Sequence, residues 1–294
     1  MAVPLLDVVL GYDCNLGCSY CTITPAMRRR ALPTARVAAA LSEAFDAGYR
    51  DVAFTGGEPT IFEDLPRLVR LARSLGYEHV KVASNGLRYA HEPYLDLLVR
   101  SGVDRFHVSV HAPSDAAYDA TVRREGAAAL RQRAIEALVR RDLDPTADLI
   151  LKEDTYREVG AWIASLHALG VRRFALWLLS LTDQAANLGY ELPRMTDVAP
   201  HVVQAFDAAR AGDYEVVSLH LPRCLLPGYE EHVRHPGSDR VRVITPDDTF
   251  ELSGSRLSGG SFPEACAPCR FRSRCCGLRA DYAARHGTAE VRPS

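Results

Sequence analysis

The sequence LLDVVLGYDCNLGCSYC, residues 5–21, combines the first predicted strand with the first predicted site of this 294-residue chain. Its first half is rich in aliphatic residues and predicts a buried β-strand. The Asp, Asn and Gly residues that follow favour a loop over a helix. Three cysteines stand in this loop with the spacing CxxxCxxC: Cys14, Cys18 and Cys21.

Three thiolates are an informative number of ligands. Structural metal sites usually close with four protein ligands, whereas reactive sites leave one coordination position open. The loop therefore predicts an iron–sulfur cluster or metal with one open position. The alternative is a zinc ion whose fourth ligand is a distant His or Cys.

Strand-like and helix-like segments alternate along the rest of the chain. Strands are predicted at residues 5–12, 51–55, 79–84, 105–111, 147–152, 173–179 and 215–221. About six β/α units in sequence predict an α/β fold with a parallel sheet and outer helices. The cysteine loop then lies at the carboxyl-terminal edge of the sheet, where sites form. The run is shorter than eight units, and both a doubly wound sheet and an incomplete barrel fit it.

A second motif follows the second predicted strand, in the sequence DVAFTGGEPT at residues 51–60. Gly56 and Gly57 allow backbone carbonyl groups to approach a ligand closely. Glu58 adds a carboxylate, which favours an ammonium group. The alternative is a tight strand–helix turn with a solvated glutamate.

The cysteine loop and the Gly-Gly-Glu-Pro turn together resemble the radical S-adenosylmethionine (SAM) superfamily. The resemblance implies a partial (β/α)6 TIM-like barrel, a [4Fe–4S] cluster on the three cysteines, and SAM on the open iron. It also implies that an electron from the cluster cleaves SAM to a 5′-deoxyadenosyl radical, which abstracts a hydrogen atom from the substrate. Tyr20 matches the position near the adenine, and the turn at the methionine amino group comprises Gly56, Gly57, Glu58 and Pro59.

Polar residues at the ends of the third, fourth and fifth strands are further candidates for SAM contacts. They are Ser84, Asn85, Ser109, His111 and Lys152. The resemblance implies a TNG-like turn for residues 83–86 and contacts to the methionine carboxylate or the ribose at the end of the fourth strand. Each residue also fits an ordinary polar strand end.

The chain changes character after about residue 222, where Pro, Gly, Ser and Arg become frequent. A hairpin is predicted at residues 241–252. The loop-rich remainder needs a cross-link, such as a metal cluster, to be ordered. It contains four cysteines: Cys266, Cys269, Cys275 and Cys276.

The spacing of these cysteines resembles part of the SPASM and twitch extensions of some radical SAM enzymes, which hold auxiliary [4Fe–4S] clusters. The sequence departs from a full SPASM segment, because Arg279 stands where a CxxxC would continue. We therefore predict one auxiliary cluster, on Cys224, Cys266, Cys269 and Cys275. A structural zinc site is the alternative, and the choice between Cys275 and Cys276 is open.

Composition restricts the class of protein. A net charge of −2 argues against general affinity for nucleic acid. No apolar stretch of about 18 residues predicts a membrane span, and residues 1–10 fit a first strand better than a signal peptide. Clustered cysteines fit the reducing cytoplasm.

We expect a barrel core at residues 1–215 and a cluster-binding segment at residues 216–294.

The expected function is that of a radical SAM enzyme with a flavodoxin- or ferredoxin-type electron donor. Its substrate is either a peptide or protein residue or a small metabolite, and the SPASM-like segment favours a peptide. The alternatives are an iron–sulfur electron carrier or scaffold that does not cleave SAM, and a zinc-binding interaction protein. The Gly-Gly-Glu turn argues against a pure electron carrier, which needs no methionine-binding turn.

Overall fold

A ten-stranded sheet organises the molecule. The structure is a computed structural model, and it describes residues 4–180, 190–235, 240–253, 255, 260–275 and 277–293. The strands are β1 (Leu5–Val9), β2 (Asp51–Thr55), β3 (His79–Ser84), β4 (Arg105–Val110), β5 (Thr146–Leu151), β6 (Arg173–Leu178), β7 (Glu215–Leu219), β8 (Val233–Arg234), β9 (Val241–Ile244) and β10 (Thr249–Glu251). Their order in the sheet is β10-β9-β1-β2-β3-β4-β5-β6-β7-β8.

All but the last of the described helices connect parallel strands of this sheet. The helices are α1 (Thr34–Asp46), α2 (Leu65–Leu75), α3 (Glu92–Ser101), α4 (Asp115–Val122), α5 (Ala127–Val139), α6 (Val159–Ala168), α7 (Met195–Ala211) and α8 (Ala280–His286). Successive strands from β1 to β8 pair in parallel. The predicted α/β class is therefore confirmed. No described helix is long and apolar enough to cross a membrane.

The strands present opposite faces to two environments, because side chains alternate along a strand. Leu6 of β1 is buried in the hydrophobic core. Its neighbour Asp7 instead lines a cavity of about 640 Å³ together with Lys81, Asp148 and Trp177 from β3, β5 and β6. A cavity lined by side chains from non-adjacent strands shows that the sheet is curved around an interior. This shape agrees with a partial barrel.

The predicted hairpin at residues 241–252 forms, but it belongs to the main sheet. Its first strand, β9, pairs in parallel with β1, and β10 pairs antiparallel with β9. The sheet thus continues past residue 215, and the boundary predicted there stays a prediction. A separate two-stranded sheet, β11 (Gly260–Ser261) and β12 (Leu278–Arg279), brackets the last cysteine group.

Candidate active site

The cysteine loop follows β1 at the carboxyl-terminal edge of the sheet. Cys14, Cys18 and Cys21 are half-buried there. All three line a cavity of about 380 Å³ at the mouth of the barrel. The cavity is also lined by predicted site residues from the ends of β2, β3 and β4, so the structure brings the two sequence motifs to one place.

Backbone contacts fix the shape of the cysteine loop. The guanidinium of Arg28 donates hydrogen bonds to the carbonyl oxygens of Cys14, at 2.9 Å, and Leu16, at 2.8 Å. The N–H groups of Gly17 and Ser19 donate to carbonyls at the end of α4, at 3.0 and 2.8 Å. Neither Arg28 nor α4 was predicted to have this role, because both contacts depend on tertiary structure.

The thiols of Cys14 and Cys18 resist deprotonation in this environment. Burial raises the pKa of Cys14, and burial together with the thiols of Cys14 and Cys21 raises the pKa of Cys18 to about 12. Backbone N–H groups lie 3.4 Å from the Sγ atoms of Cys14 and Cys21. A bound metal keeps coordinating thiols deprotonated. The donor set therefore fits an iron–sulfur cluster.

Gly56 and Gly57 allow the turn after β2 to touch the cysteine loop. A Cβ atom on Gly57 would lie 2.1 Å from the carbonyl oxygen of Asp13, and Gly56 has a φ of +128°. The N–H groups of Gly57 and Glu58 donate to the carbonyls of Gly11 and Asp13, at 2.9 and 2.8 Å. Both glycines also line the cavity. Their lack of a side chain is thus required by the neighbouring loop as well as by the space at the cavity.

Glu58 is buried, and both of its carboxylate oxygens accept hydrogen bonds from neighbouring residues. Its Oε1 accepts hydrogen bonds from the hydroxyls of Thr60 and Ser84, and its Oε2 accepts from the Asn85 N–H. Burial nevertheless raises the pKa of this carboxyl group. Neither Glu58 nor Pro59, which begins a short 3-10 helix, is among the described residues that line the cavity. These two residues lie behind the turn, where the carboxylate joins β2 to β3.

Ser84 and Asn85 end β3 at the cavity. The side-chain amide of Asn85 donates to Asn15 Oδ1 at 2.7 Å and lies 3.9 Å from Cys14 Sγ. This contact connects the turn after β3 to the cysteine loop. Ser109 of β4 lines the same cavity.

Tyr20 and His111 also line the cavity, where they contact each other. The Tyr20 hydroxyl lies 2.5 Å from His111 Nδ1. Burial, and then the charges of Lys152 and Arg131, lower the pKa of His111 to about 3, so the ring is neutral. Its buried Nε2 has no hydrogen-bond partner in the described part of the chain. An unpartnered polar atom beside the cavity is consistent with a ligand that supplies the missing partner.

Lys152 is buried and does not line the cavity among the described residues. Its Nζ donates to Asp154 at 2.9 Å and lies 5.7 Å from the centroid of the Tyr20 ring. Lys152 therefore supports Tyr20 from behind.

The second cysteine group assembles as well. Cys224, from the loop after β7, lines one pocket together with Cys266, Cys269 and Cys275. Burial and the other three thiols raise the pKa of Cys224. The N–H of Gly277 lies 3.4 Å from Cys275 Sγ. Cys276 lies outside the described residues.

The placement of the cysteines bears on the choice between a single metal ion and an iron–sulfur cluster. No three His, Cys, Asp or Glu side chains among the residues described are placed to hold one ion. A tetrahedral zinc ion with Zn–S bonds of about 2.3 Å needs sulfurs roughly 3.8 Å apart. The cysteines of a four-iron cluster bind different irons, and their sulfurs lie farther apart. The absence of a single-ion site in the described part of the chain agrees with the cluster prediction.

Comparison with known families identifies this site. The profile of the Radical SAM superfamily matches residues 8–159, more than half of the chain. The chain belongs to the radical SAM superfamily. The predicted family is therefore confirmed. Membership of this superfamily implies a [4Fe–4S] cluster and SAM as cofactors.

Curated radical SAM relatives match mainly the first half of the chain. The PqqA peptide cyclase of Xanthomonas axonopodis pv. citri (strain 306) is 35% identical over 147 residues, which cover 46% of this chain and 39% of the relative. The PqqA peptide cyclase of Gluconobacter oxydans (strain 621H) is 29% identical over 166 residues, or 56% and 46% of the two chains. The chain thus spans less than half the length of these relatives.

Solved radical SAM structures share the fold over a longer range. SuiB of Streptococcus suis, bound to its precursor peptide SuiA, covers 100% of this chain and 76% of its own, with a TM-score of 0.73 and 13% identity. The structure of anSMEcpe with bound AdoMet and the Cp18Cys peptide covers 70% of this chain and 59% of its own, with a TM-score of 0.57 and 17% identity. At these identities the likeness is one of fold.

Proposed function

We propose that this chain is a radical SAM enzyme whose catalytic [4Fe–4S] cluster is held by Cys14, Cys18 and Cys21. One observation carries the proposal: the three thiols open onto the same cavity as the glycine turn after β2 and the polar ends of β3 and β4. An electron carrier does not need such a cavity beside its cluster.

The chain's own residues would bind and orient the cofactors. Backbone groups of Gly56 and Gly57 would receive the methionine amino group, with Glu58 and Pro59 holding the turn from behind. Ser84, Asn85, Ser109 and His111 present polar atoms to the rest of SAM, and Tyr20, supported by Lys152, closes the adenine end. The chemistry supplied by the bound pair is one-electron cleavage of SAM and removal of a hydrogen atom from the substrate.

We also propose an auxiliary [4Fe–4S] cluster on Cys224, Cys266, Cys269 and Cys275. The support is that four cysteines distant in sequence line one pocket and perturb one another electrostatically. Four thiolates would leave no open position. Such a cluster would hold together the loop-rich segment at residues 216–294 and fix it to the barrel core at residues 1–215.

A peptide is the proposed substrate, ahead of a small metabolite. Several relatives are named as peptide cyclases, and two of the similar structures hold peptides. We further propose an external flavodoxin- or ferredoxin-type electron donor and a reducing, cytoplasmic location.

The proposal is tested by cleavage of SAM under anaerobic conditions. Reconstituted wild-type protein with SAM and dithionite should release 5′-deoxyadenosine, and the Cys14/Cys18/Cys21→Ala triple variant should release none. A variant carrying Cys266→Ala and Cys269→Ala serves as the matched control for loss of cysteines and should retain its first cluster. If iron-loaded wild-type protein releases no 5′-deoxyadenosine with or without candidate peptides, the electron-carrier alternative replaces this proposal.

Iron analysis tests the two cluster sites separately. Two [4Fe–4S] clusters require about eight irons per chain. The Cys14/Cys18/Cys21→Ala variant and the Cys266→Ala, Cys269→Ala variant should each retain about four irons per chain. Wild-type protein with only four irons, or with stoichiometric zinc, would contradict the auxiliary cluster.

A further inference from the structure

The cavity at the barrel mouth has two chemically different walls. The wall from β1 to β4 carries the cysteines, the glycine turn and the polar SAM candidates. The opposite side, which we call the β6–β7 wall, is formed by Trp177, Leu178, Leu179 and His220. Three of these side chains are apolar, and His220 is the polar one. No motif assigns a role to this wall.

His220 has an unusual backbone and a constrained ring. Its φ is +74°, a left-handed conformation that few residues other than glycine adopt and that is concentrated at functional sites. Its Nδ1 lies 2.9 Å from Nη1 of Arg279 and 3.0 Å from the carbonyl oxygen of Leu178. Arg279 belongs to β12, in the C-terminal segment, and it also donates to the Leu178 carbonyl at 3.1 Å.

These contacts favour one of the two neutral tautomers of His220, since Nδ1 lies within hydrogen-bond distance of both a donor and an acceptor. The guanidinium of Arg279 is always a donor, so Nδ1 must accept from it. The Leu178 carbonyl already accepts from Nη1, at 3.1 Å, so it does not require the ring proton. We therefore assign the proton of the neutral ring to Nε2, which forms no hydrogen bond within the described residues.

The surroundings keep this donor neutral. Burial and the charge of Arg279 lower the pKa of His220 to about 4. Asp281 pairs with Arg279, so the guanidinium charge is balanced locally. The ring meets Trp177 edge-on, with centroids 5.3 Å apart. The wall thus combines apolar surface with one neutral N–H donor, which suits a neutral carbonyl better than a carboxylate.

We propose that the β6–β7 wall is the substrate subsite and that His220 Nε2–H donates a hydrogen bond to a backbone carbonyl of a peptide substrate. An apolar side chain of the peptide would pack against Trp177 and Leu179. Arg279 is a positioning residue, since it sets the tautomer of His220 from the C-terminal segment. The inference rests on the proposed peptide-modifying function and deepens it.

The experiment uses the holoenzyme with SAM and N-acetyl-L-leucine methylamide as the probe, because this molecule offers peptide carbonyls beside an apolar side chain. Saturation-transfer NMR measures its dissociation constant. His220→Ala and His220→Asn should weaken binding about tenfold, the effect of about 1.4 kcal/mol for one hydrogen bond. Asn accepts a positive φ, so this variant separates loss of the ring from backbone strain. His220→Gln should restore part of the affinity, because its longer side-chain amide supplies an N–H donor.

The control is His91→Ala, since His91 is an exposed histidine at the start of α3. It should bind the probe like wild type. Equal affinities for wild type, His220→Ala and His220→Asn would overturn the proposal, as would absence of probe binding to wild type.

A second readout follows the tautomer itself. Nitrogen-15 NMR of the histidine rings should show His220 protonated on Nε2 alone in wild type. Arg279→Ala should lose this single tautomer and raise the pKa of His220, and probe affinity should fall with it. A wild-type ring protonated on Nδ1 would overturn the proposal. Release of 5′-deoxyadenosine by wild type is scored separately, so failure of the proposed function is distinguished from failure of the subsite.

Discussion

The backbone N–H of Asn85 donates a 2.7 Å hydrogen bond to Oε2 of Glu58, joining the turn after β3 to the turn after β2. The side chain of Asn85 then reaches Asn15 in the cysteine loop, also at 2.7 Å. Three loops that meet at the cavity are therefore connected through the Glu58 carboxylate and the Asn85 side chain. This connection explains why a glutamate is needed at a position that does not line the cavity.

Glu58→Gln should lower the free energy of unfolding by about 1–3 kcal/mol, because one amide N–H group would face donors that now meet carboxylate oxygens. Denaturant unfolding of the anaerobic protein measures the change. The control Glu63→Gln alters an exposed glutamate of the same loop and should stay within about 0.5 kcal/mol of wild type. Equal stabilities for the two variants would show that the carboxylate network does not stabilise the site.

Gly57→Ala should displace the cysteine loop, because the new Cβ would lie 2.1 Å from the Asp13 carbonyl oxygen. We expect iron content to fall from about eight to about four per chain. Gly160→Ala is the matched control: apart from its chain neighbours and the backbone of α6 itself, no atom lies within 4 Å of its Cβ position. That variant should keep its iron. Full iron content in Gly57→Ala would contradict the contact between the two motifs.

Arg28→Ala should loosen the cysteine loop without removing a ligand. The variant loses the two hydrogen bonds to the carbonyls of Cys14 and Leu16. We expect a chelator to extract iron from the first site about tenfold faster, as the loss of one to two hydrogen bonds predicts. Arg29→Ala removes an exposed neighbouring charge and should release iron at the wild-type rate. Indistinguishable rates would assign Arg28 no part in holding the loop.

Stability should depend on pH through His220. Its folded pKa is about 4, whereas its ordinary value is 6.5, so below pH 6.5 the unfolded chain binds a proton that the folded chain does not. The free energy of unfolding should therefore fall as pH drops from 6.5 to 4, by up to roughly 3 kcal/mol from this residue. His220→Asn should flatten part of the decline. An unchanged pH profile would mean that His220 is not held neutral.

Sequence patterns predicted much of the site because the motifs are local. The strand before Cys14 and the glycines after β2 follow directly from residue order and turn chemistry. The cysteines around Cys224 were predicted from spacing and resemblance. The structure then places these residues at two cavities at the ends of strands.

The remaining features depend on contacts between distant segments. α4, Arg28 and Arg279 act through backbone carbonyls, which leave no signature in side-chain patterns. The position of Trp177 at the cavity was not predicted, because an aromatic residue in a strand has the same pattern whether it faces the core or a cavity. The hairpin at residues 241–252 was predicted, but its pairing with β1 was not, because strand partners in a sheet are not encoded locally.

Electron paramagnetic resonance of the dithionite-reduced protein measures whether SAM binds the cluster on Cys14, Cys18 and Cys21. Adding SAM should change the cluster signal of wild type and of the Cys266→Ala, Cys269→Ala double variant. It should change no signal in the Cys14/Cys18/Cys21→Ala variant, whose remaining cluster has four cysteine ligands. A SAM-dependent change that persists in the triple variant, or that is absent from iron-loaded wild type, would contradict the assignment of this loop as the catalytic cluster site.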